Sequence, residues 1–278
     1  MILLEGKKVA DILNEELKEK VSKFSRAPRL DIILIGDNPA SLSYVKGKLK
    51  ASLKIGVKTN LHHLEENTPE IEVKKLINQL NTDDQVDAIL LQLPLPKHLN
   101  ETELMDLIAY QKDPDGFHTM NQGKLFQKRE TTYAATPLGI ITLLDYYQIP
   151  IEGKHAVVVG RSNIVGMPIS KMLLDRNATV TICHSRTKNI EQITSQADIL
   201  VVAIGIPKFI TKDMVKKDAV VIDVGINRVN DKLIGDVDFE AVIDKVSYIT
   251  PVPKGVGPMT IHSLLKNTVS LYEKKEKK

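Results

Sequence analysis

Several features that would each point to a class of protein are scarce or missing in this chain. Its 278 residues include one cysteine, Cys183, so an internal disulfide framework is excluded and a reducing compartment is expected. No apolar run approaches the roughly 20 residues needed to span a bilayer. The start, MILLEGKKVADIL, lacks the basic region and long apolar run of a secretory signal. A cytoplasmic protein with no membrane partner is the expectation. Net charge is only +3, and several of the cations sit in the final run Lys274, Lys275, Lys277, Lys278, which reads as a frayed, solvated tail. Without a basic stripe, no nucleic acid is expected as a partner. There is no 20–50-residue repeat, no Gly-x-Ser-x-Gly elbow and no Walker A lysine. His118 and His184 have no Cys or His partner at zinc spacing. His62 and His63 share a predicted strand and point to opposite faces, so no metal is expected.

What is present is an ordinary globular balance, 42% hydrophobic and 26% charged, in a chain long enough for two domains. Apolar strands alternate with amphipathic helices. Strands are predicted over 30–35, 57–61 and 86–93, and helices over 40–55, around 71–80 and from 104. The second half repeats the theme, with strands over 155–159, 179–183, 199–203 and 220–224. Helices over 166–174 and 190–195 and a short segment over 212–215 lie between them. Such alternation means α/β domains with mostly parallel sheets and helices on both faces. The halves join at a helix following Pro137. A last helix, over about 259–272, follows the Pro/Gly-rich TPVPKGVGP. The expected domains are 1–136 and 137–258, with a cleft between them. The helix from 259 to 278 completes the first domain if it returns to it.

Residues 155–174, HAVVVGRSNIVGMPISKMLL, read as a strand–turn–helix. Glycines let a backbone turn sharply and approach a pyrophosphate, and a helix N-terminus supplies amides and a favourable dipole. The pattern departs from G-x-G-x-x-G: Ser162 holds the second glycine position and the later glycine is Gly166. On its own it fits a plain turn equally. The next strand ends CHSRT, with Ser185 and Arg186 where an acid would hold a ribose 2′-hydroxyl. A guanidinium binds a 2′-phosphate in bidentate fashion. The pair therefore points to NADP. Arg161 is a second phosphate contact or an exposed loop arginine.

The helix after GDNPAS carries four lysines. At 100° per residue, Leu42, Tyr44, Val45, Leu49, Ser52, Leu53 and Ile55 share one arc, and Lys46, Lys50 and Lys54 lie opposite. Lys48 falls inside the apolar arc, one turn after Tyr44, its natural hydrogen-bond neighbour. A buried lysine has a depressed pKa and can exchange a proton near neutrality. Snorkelling from the core edge is the rival explanation. Gln92 is the one long polar side chain in 89–95, near the carboxyl end of a buried strand where ligands gather. A capping amide would also explain it. Asp113-Pro-Asp115-Gly alone reads as an acidic turn.

Together these stretches resemble the bifunctional methylenetetrahydrofolate dehydrogenase/cyclohydrolase family over nearly the whole chain. The segments that carry the resemblance include GDNPASLSYVKGKLKA, VDAILLQLPLP, KDPDGFH, GRSNIVGMP, ATVTICHSRT, VIDVGIN, GDVDF and TPVPKGVGPMT. The resemblance implies a two-domain fold, an N-terminal catalytic domain and a Rossmann-like NADP-binding domain. It implies oxidation of 5,10-methylenetetrahydrofolate with NADP, then hydrolysis of the methenyl product to 10-formyltetrahydrofolate, by a homodimer. Lys48 matches the family's general acid/base, Tyr44 the residue that stacks near substrate and orients it, and Gln92 the residue that tunes it. Asp115 matches the pterin-binding aspartate, and Gly257 and Pro258 the loop beside the folate. Gly160, Arg161, Ser162, Ser185, Arg186 and Ile226 match the cofactor contacts. Pro114, Thr119, Ala135 and Ala88 depart from common family residues. Lys254 stands where the family has a glycine, which leaves open a dehydrogenase with weak or lost hydrolysis. A non-catalytic nucleotide-binding module is the other alternative.

Overall fold

The computed structural model of the chain describes residues 1–230 and 232–277. Two compact units emerge, one of Met1–Asp11 with Thr136–Thr260, the other of Ile12–Ala135 with the chain from Ile261 onward. The chain passes from one to the other inside three helices: α1 (Gly6–Val21), α6 (Ala135–Tyr146) and α10 (Val256–Glu276). Pro137 lies in the first turn of α6, where a backbone N–H would have no intrahelical acceptor.

The unit built around Ile12–Ala135 has a three-stranded parallel sheet. Its strands are β2 (Arg29–Ile35), β3 (Lys58–Leu64) and β4 (Ala88–Leu91), in the order β3-β2-β4. Alternate side chains go to opposite faces. Leu30, Ile32, Leu34, Ala88 and Leu90 join a core with Val45 and Ile55 of α2 (Pro39–Ile55), Leu17 and Val21 of α1, and Leu264, Leu265 and Val269 of α10. Ile33, Ile35, Ile89 and Leu91 join a second core on the other face. There they meet Val73, Ile77 and Leu80 of α3 (Glu70–Thr82) and Leu104 of α4 (Glu101–Leu107). A 3-10 turn (Tyr110–Lys112) and the short α5 (Thr119–Phe126) complete this unit.

The other unit is a six-stranded parallel sheet in the order β1-β11-β8-β7-β5-β6. Its strands are β1 (Ile2–Leu3), β5 (His155–Val159), β6 (Thr179–Cys183), β7 (Ile199–Val202), β8 (Val220–Asp223) and β11 (Tyr248–Ile249). α7 (Gly166–Asp175), α8 (Ile190–Thr194) and α9 (Phe239–Val242) connect them, with a 3-10 turn at Lys212–Met214. An antiparallel ribbon, β9 (Asn227–Val229) and β10 (Lys232–Ile234), leaves the carboxyl end of β8. Strand order reverses beside β5, because β6 lies on one side of it and β7 on the other. That reversal is where open α/β sheets bind ligands.

Three expectations need correction. Residues 1–11, read as part of the first domain, belong to the Thr136–Thr260 unit, because β1 pairs with β11 (Ile2 opposite Tyr248). The tail is helical through Glu276 and not frayed. Its buried Leu271 and Tyr272 hold that register, Lys274 pairs with Glu130 at 2.8 Å, and Lys275 donates to the Asp84 carbonyl. Lys278, the last of that run, lies outside the described residues. Leu53, placed on the apolar arc of α2, is 82% exposed, because the buried stripe is the narrower set Ser41, Val45, Lys48, Ser52 and Ile55. No helix among the described residues is long and apolar enough to cross a membrane.

Candidate active site

α2 starts at a strong cap. The Asn38 side chain accepts from the backbone N–H of Ala40 at 3.0 Å and Ser41 at 3.2 Å, and Pro39 takes the first helical position. That start sets the phase of the helix. Val45, Lys48 and Ser52 then fall three and four residues apart on the side facing the sheet. Lys48 is 9% exposed, so snorkelling does not describe it.

Gln92 follows β4 and continues the alternation of Ala88 and Leu90, which carries it to the face that α2 covers. Lys48 Nζ donates to Gln92 Oε1 at 3.0 Å. Gln92 Nε2 in turn donates to the Leu93 carbonyl at 2.7 Å, which fixes the amide with its oxygen toward the lysine. The lysine's partner is thus Gln92 and not Tyr44, as i−4 spacing suggested. Tyr44 is 40% exposed on the flank of α2, and partial burial pushes its phenol pKa up.

Asp115 stands close enough to act electrostatically on Lys48. Desolvation lowers the lysine's pKa, and the Asp115 charge partly opposes that fall. Asp115 keeps some exposure as a residue, but its carboxyl is surrounded densely enough for desolvation to push it up to about 6. Lys48 pulls that value down and Asp113 pushes it further up. Asp113 is the turn's own fastener. Its carboxylate accepts from the N–H groups of Gly116 and His118 and from Asn121 Nδ2, each at 2.9 Å. From α10, Asn267 Nδ2 donates to the carbonyls of Pro114 at 2.8 Å and Tyr133 at 2.9 Å. Asn267 gave no sequence signal; only the return of α10 brings it here.

The histidines do other work. His62 Nε2 lies 2.7 Å from Asp31, whereas His63 Nε2 lies 3.1 Å from the Gly36 carbonyl. No group of three or more His, Cys, Asp or Glu capable of holding a metal occurs among the described residues.

In the other unit, β5 runs into Gly160 at φ +125°. A side chain at Gly160 would collide with the Ala203 carbonyl after β7, and one at Gly166 would collide with Gly160's own carbonyl. Strand end, turn and helix start are therefore in backbone contact. Ser162 Oγ accepts from the N–H groups of Val165 at 3.2 Å and Gly166 at 3.3 Å, so it caps α7 from the second glycine position. The first amides of α7 are thus already taken, Gly166 by Ser162 Oγ and Met167 by the Ser162 carbonyl at 3.0 Å, so what remains for an anion is the Ser162 O–H and the positive end of the helix dipole. Arg161, Ser185 and Arg186 are exposed. The Arg186 N–H donates to His184 Nδ1 at 3.1 Å, which shapes the turn that carries its guanidinium. Ile226 is 39% exposed beyond β8, beside Gly257. Gly257 and Pro258, expected in a loop, lie in the first turn of α10, where Pro258 loses no hydrogen bond. Lys254 precedes them at φ +83° and is exposed. These residues fit a dinucleotide: the switch point offers a glycine turn, the Ser162 hydroxyl at a helix N-terminus, and one exposed arginine after each of β5 and β6.

A Rossmann-like unit and an α/β unit with a buried lysine define a two-domain, nucleotide-dependent enzyme. The chain belongs to the tetrahydrofolate dehydrogenase/cyclohydrolase family. Residues 4–115 match the family's catalytic domain and residues 134–276 its NAD(P)-binding domain. It is 62% identical to the bifunctional protein FolD of Acholeplasma laidlawii, across 99% of this chain and 100% of that one. The crystal structure of the bifunctional FolD enzyme from Campylobacter jejuni superposes with a TM-score of 0.96 at 49% identity, covering 99% of both chains. The Trypanosoma brucei enzyme, solved with NADP and an inhibitor, superposes equally well (TM-score 0.96) at 33% identity, over 100% of this chain and 99% of that one.

Proposed function

We propose that the protein oxidises 5,10-methylenetetrahydrofolate to the 5,10-methenyl form with NADP and hydrolyses that product to 10-formyltetrahydrofolate, with Lys48 as general acid/base. The observation that carries this reading is the buried Lys48, hydrogen-bonded to an orientation-locked Gln92 and biased by Asp115. NADP, when bound, accepts the hydride. The bridging carbon becomes cationic as hydride leaves, so no base has to remove a C–H proton, and this half-reaction asks the protein mainly for positioning.

Hydrolysis does need a proton shuttle. Water adds to the methenyl carbon and gives up a proton, the carbon–N5 bond breaks, and N5 gains a proton. Neutral Lys48 accepts the first proton and, as ammonium, returns it to N5; the remaining hydroxyl proton leaves to solvent as the formyl carbonyl forms. Burial supports this role because it lowers the pKa of the ammonium and so makes the neutral amine more available. Gln92 holds Nζ in place, and Asp115 binds the polar edge of the pterin. Tyr44 stacks on the substrate, and Gly257 and Pro258 line the folate. Gly160, Arg161 and Ser162 take the cofactor's phosphates, Ser185 and Arg186 its 2′-phosphate, and Ile226 packs against it. The reading also takes the protein as a cytoplasmic homodimer. The unpaired Cys183 supports the compartment, and the family supports the dimer.

The test is to assay both half-reactions separately in wild type and Lys48→Met. Hydrolysis of the methenyl form is expected to collapse, by about 10²-fold or more, while hydride transfer persists. Undiminished hydrolysis would remove Lys48 from the mechanism.

A further inference from the structure

Two buried acids in the Rossmann-like unit have no part in the chemistry above. Asp223 ends β8 and is 3% exposed; Asp236 follows β10 and is fully buried. Asp236 Oδ2 accepts from the N–H groups of Ile204 at 2.8 Å and Gly205 at 2.9 Å, and its Oδ1 accepts from Asn227 Nδ2 at 2.9 Å. Asp223 Oδ1 accepts from the N–H groups of Gly225 at 3.1 Å and Asp236 at 2.9 Å, and its Oδ2 from Val237 at 3.0 Å. These partners are neutral N–H donors. The surroundings are built tightly around the carboxylates: a side chain at Gly225 would strike the Asp236 carboxyl, and one at Gly235 would strike Asp223.

Two carboxylates buried this close cost more than an apolar pair of similar volume. Their location explains why the fold carries them. The segments they grip, 203–206 and 224–227, leave the carboxyl ends of the adjacent strands β7 and β8, which pair with Val202 opposite Asp223. The first segment touches the Gly160 turn through the Ala203 carbonyl. The second carries Ile226. Asp236 binds the first segment through Ile204 and Gly205 and the second through Asn227. Asp223 binds the root of the second segment and the backbone of Asp236 itself. One acid therefore ties both segments together, and the other anchors it.

We propose that Asp236, anchored by Asp223, is a positioning residue for the dinucleotide. It holds segments 203–206 and 224–227 in fixed register, so that the Gly160 turn and Ile226 are set before the cofactor arrives. The proposal rests on the assignment of the dinucleotide to this unit. It sets the affinity for cofactor without touching the reacting atoms.

Direct calorimetric titration of full-length protein with NADP, without folate, tests it. Asp236→Ala is expected to weaken binding about tenfold or more, since three hydrogen bonds are lost. Its kcat at saturating NADP and its KM for the folate should stay near wild type. Asp236→Asn should restore binding: its carbonyl can keep the two backbone N–H groups while its amide donates to a flipped Asn227. A scaffold role alone would lower the melting temperature of Asp236→Ala and leave the dissociation constant of the folded protein unchanged. That result overturns the proposal. If Asp236→Ala does not fold, Asn227→Ala decides, because it removes a single tether: weaker NADP binding supports the proposal, and unchanged binding overturns it. A wild type that prefers NAD refutes the NADP assignment alone, and the same variants titrated with NAD then judge Asp236. A wild type that binds neither dinucleotide overturns both.

Discussion

Lys48 and Gln92 lie 44 residues apart in the chain and meet at 3.0 Å, Nζ to Oε1, with the amide's other end fixed on the Leu93 carbonyl. The amide is thus a one-sided acceptor for the lysine. Gln92→Met keeps the volume and removes that acceptor. Lys48 would remain buried with its hydrogen bond unmade, so its ammonium form would be further disfavoured and its position loosened. Methenyl hydrolysis is expected to fall by about 10²-fold, with a smaller loss in hydride transfer. Separate kinetics of the two half-reactions check this, and equal losses in both would show that Gln92 serves binding alone.

Asp115 and Lys48 pull on each other's protons. The lysine's pKa lies below its ordinary value because of desolvation, and the Asp115 charge holds it from falling further. Asp115→Asn removes that support, so the lysine's pKa must drop. Neutral Lys48 is the form that accepts a proton, so the rising limb of the hydrolysis rate with pH should move to lower pH in the variant. Asp115 itself titrates at about 6, so wild-type profiles are best compared above that point. A limb that stays in place would mean that another group accepts the proton.

Arg186 ends the turn after β6 and is exposed, free to close on an anion. A bidentate contact to a 2′-phosphate is a charge-assisted pair, and its loss costs roughly 2 kcal/mol, or about 30-fold. Arg186→Ala should therefore raise the KM for NADP by about that factor and change the KM for NAD little. An unchanged NADP/NAD ratio would sink the assignment.

Most of this architecture is legible in the sequence, for identifiable reasons. Strands β2, β4, β5, β7 and β8 are buried on two faces and read as apolar runs, and the phase of α2 singles out Lys48 among four lysines. The missed contacts are long-range. Asn267 grips the Asp115 turn only because α10 returns to that unit, and no local pattern announces such a return. The tail read as frayed because its lysines dominate locally, whereas Glu130, Asp84 and the buried Tyr272 decide its state. Asp223 was visible in principle, as an acid closing the apolar run VVID, but its partner Asp236 lies beyond an intervening ribbon.

His262, on α10, offers a test of how the fold responds to acid. It is 3% exposed, and its Nδ1 lies 2.8 Å from Asn14 Oδ1, which accepts the ring N–H. Desolvation, with a smaller push from Lys266, lowers its pKa to about 4. In the unfolded chain it titrates near 6.5. Between those values the unfolded state binds more protons, so this residue's contribution to stability is complete above about pH 6.5 and is lost as pH falls toward 4. Asp115 and Asp223, each raised to about 6, act in the opposite direction over much of the same range. Wild-type stability alone therefore hides the effect, and the difference between two proteins exposes it. His262→Gln can still donate to Asn14 but cannot take up a proton. From pH 7 to pH 4.5, urea unfolding should show the variant gaining on wild type by on the order of 2 kcal/mol. Any fixed packing cost of the substitution cancels, because it is the same at both pH values. A difference that does not change with pH would mean that His262 is protonated in the folded state as readily as in the unfolded one, and that burial does not hold it neutral.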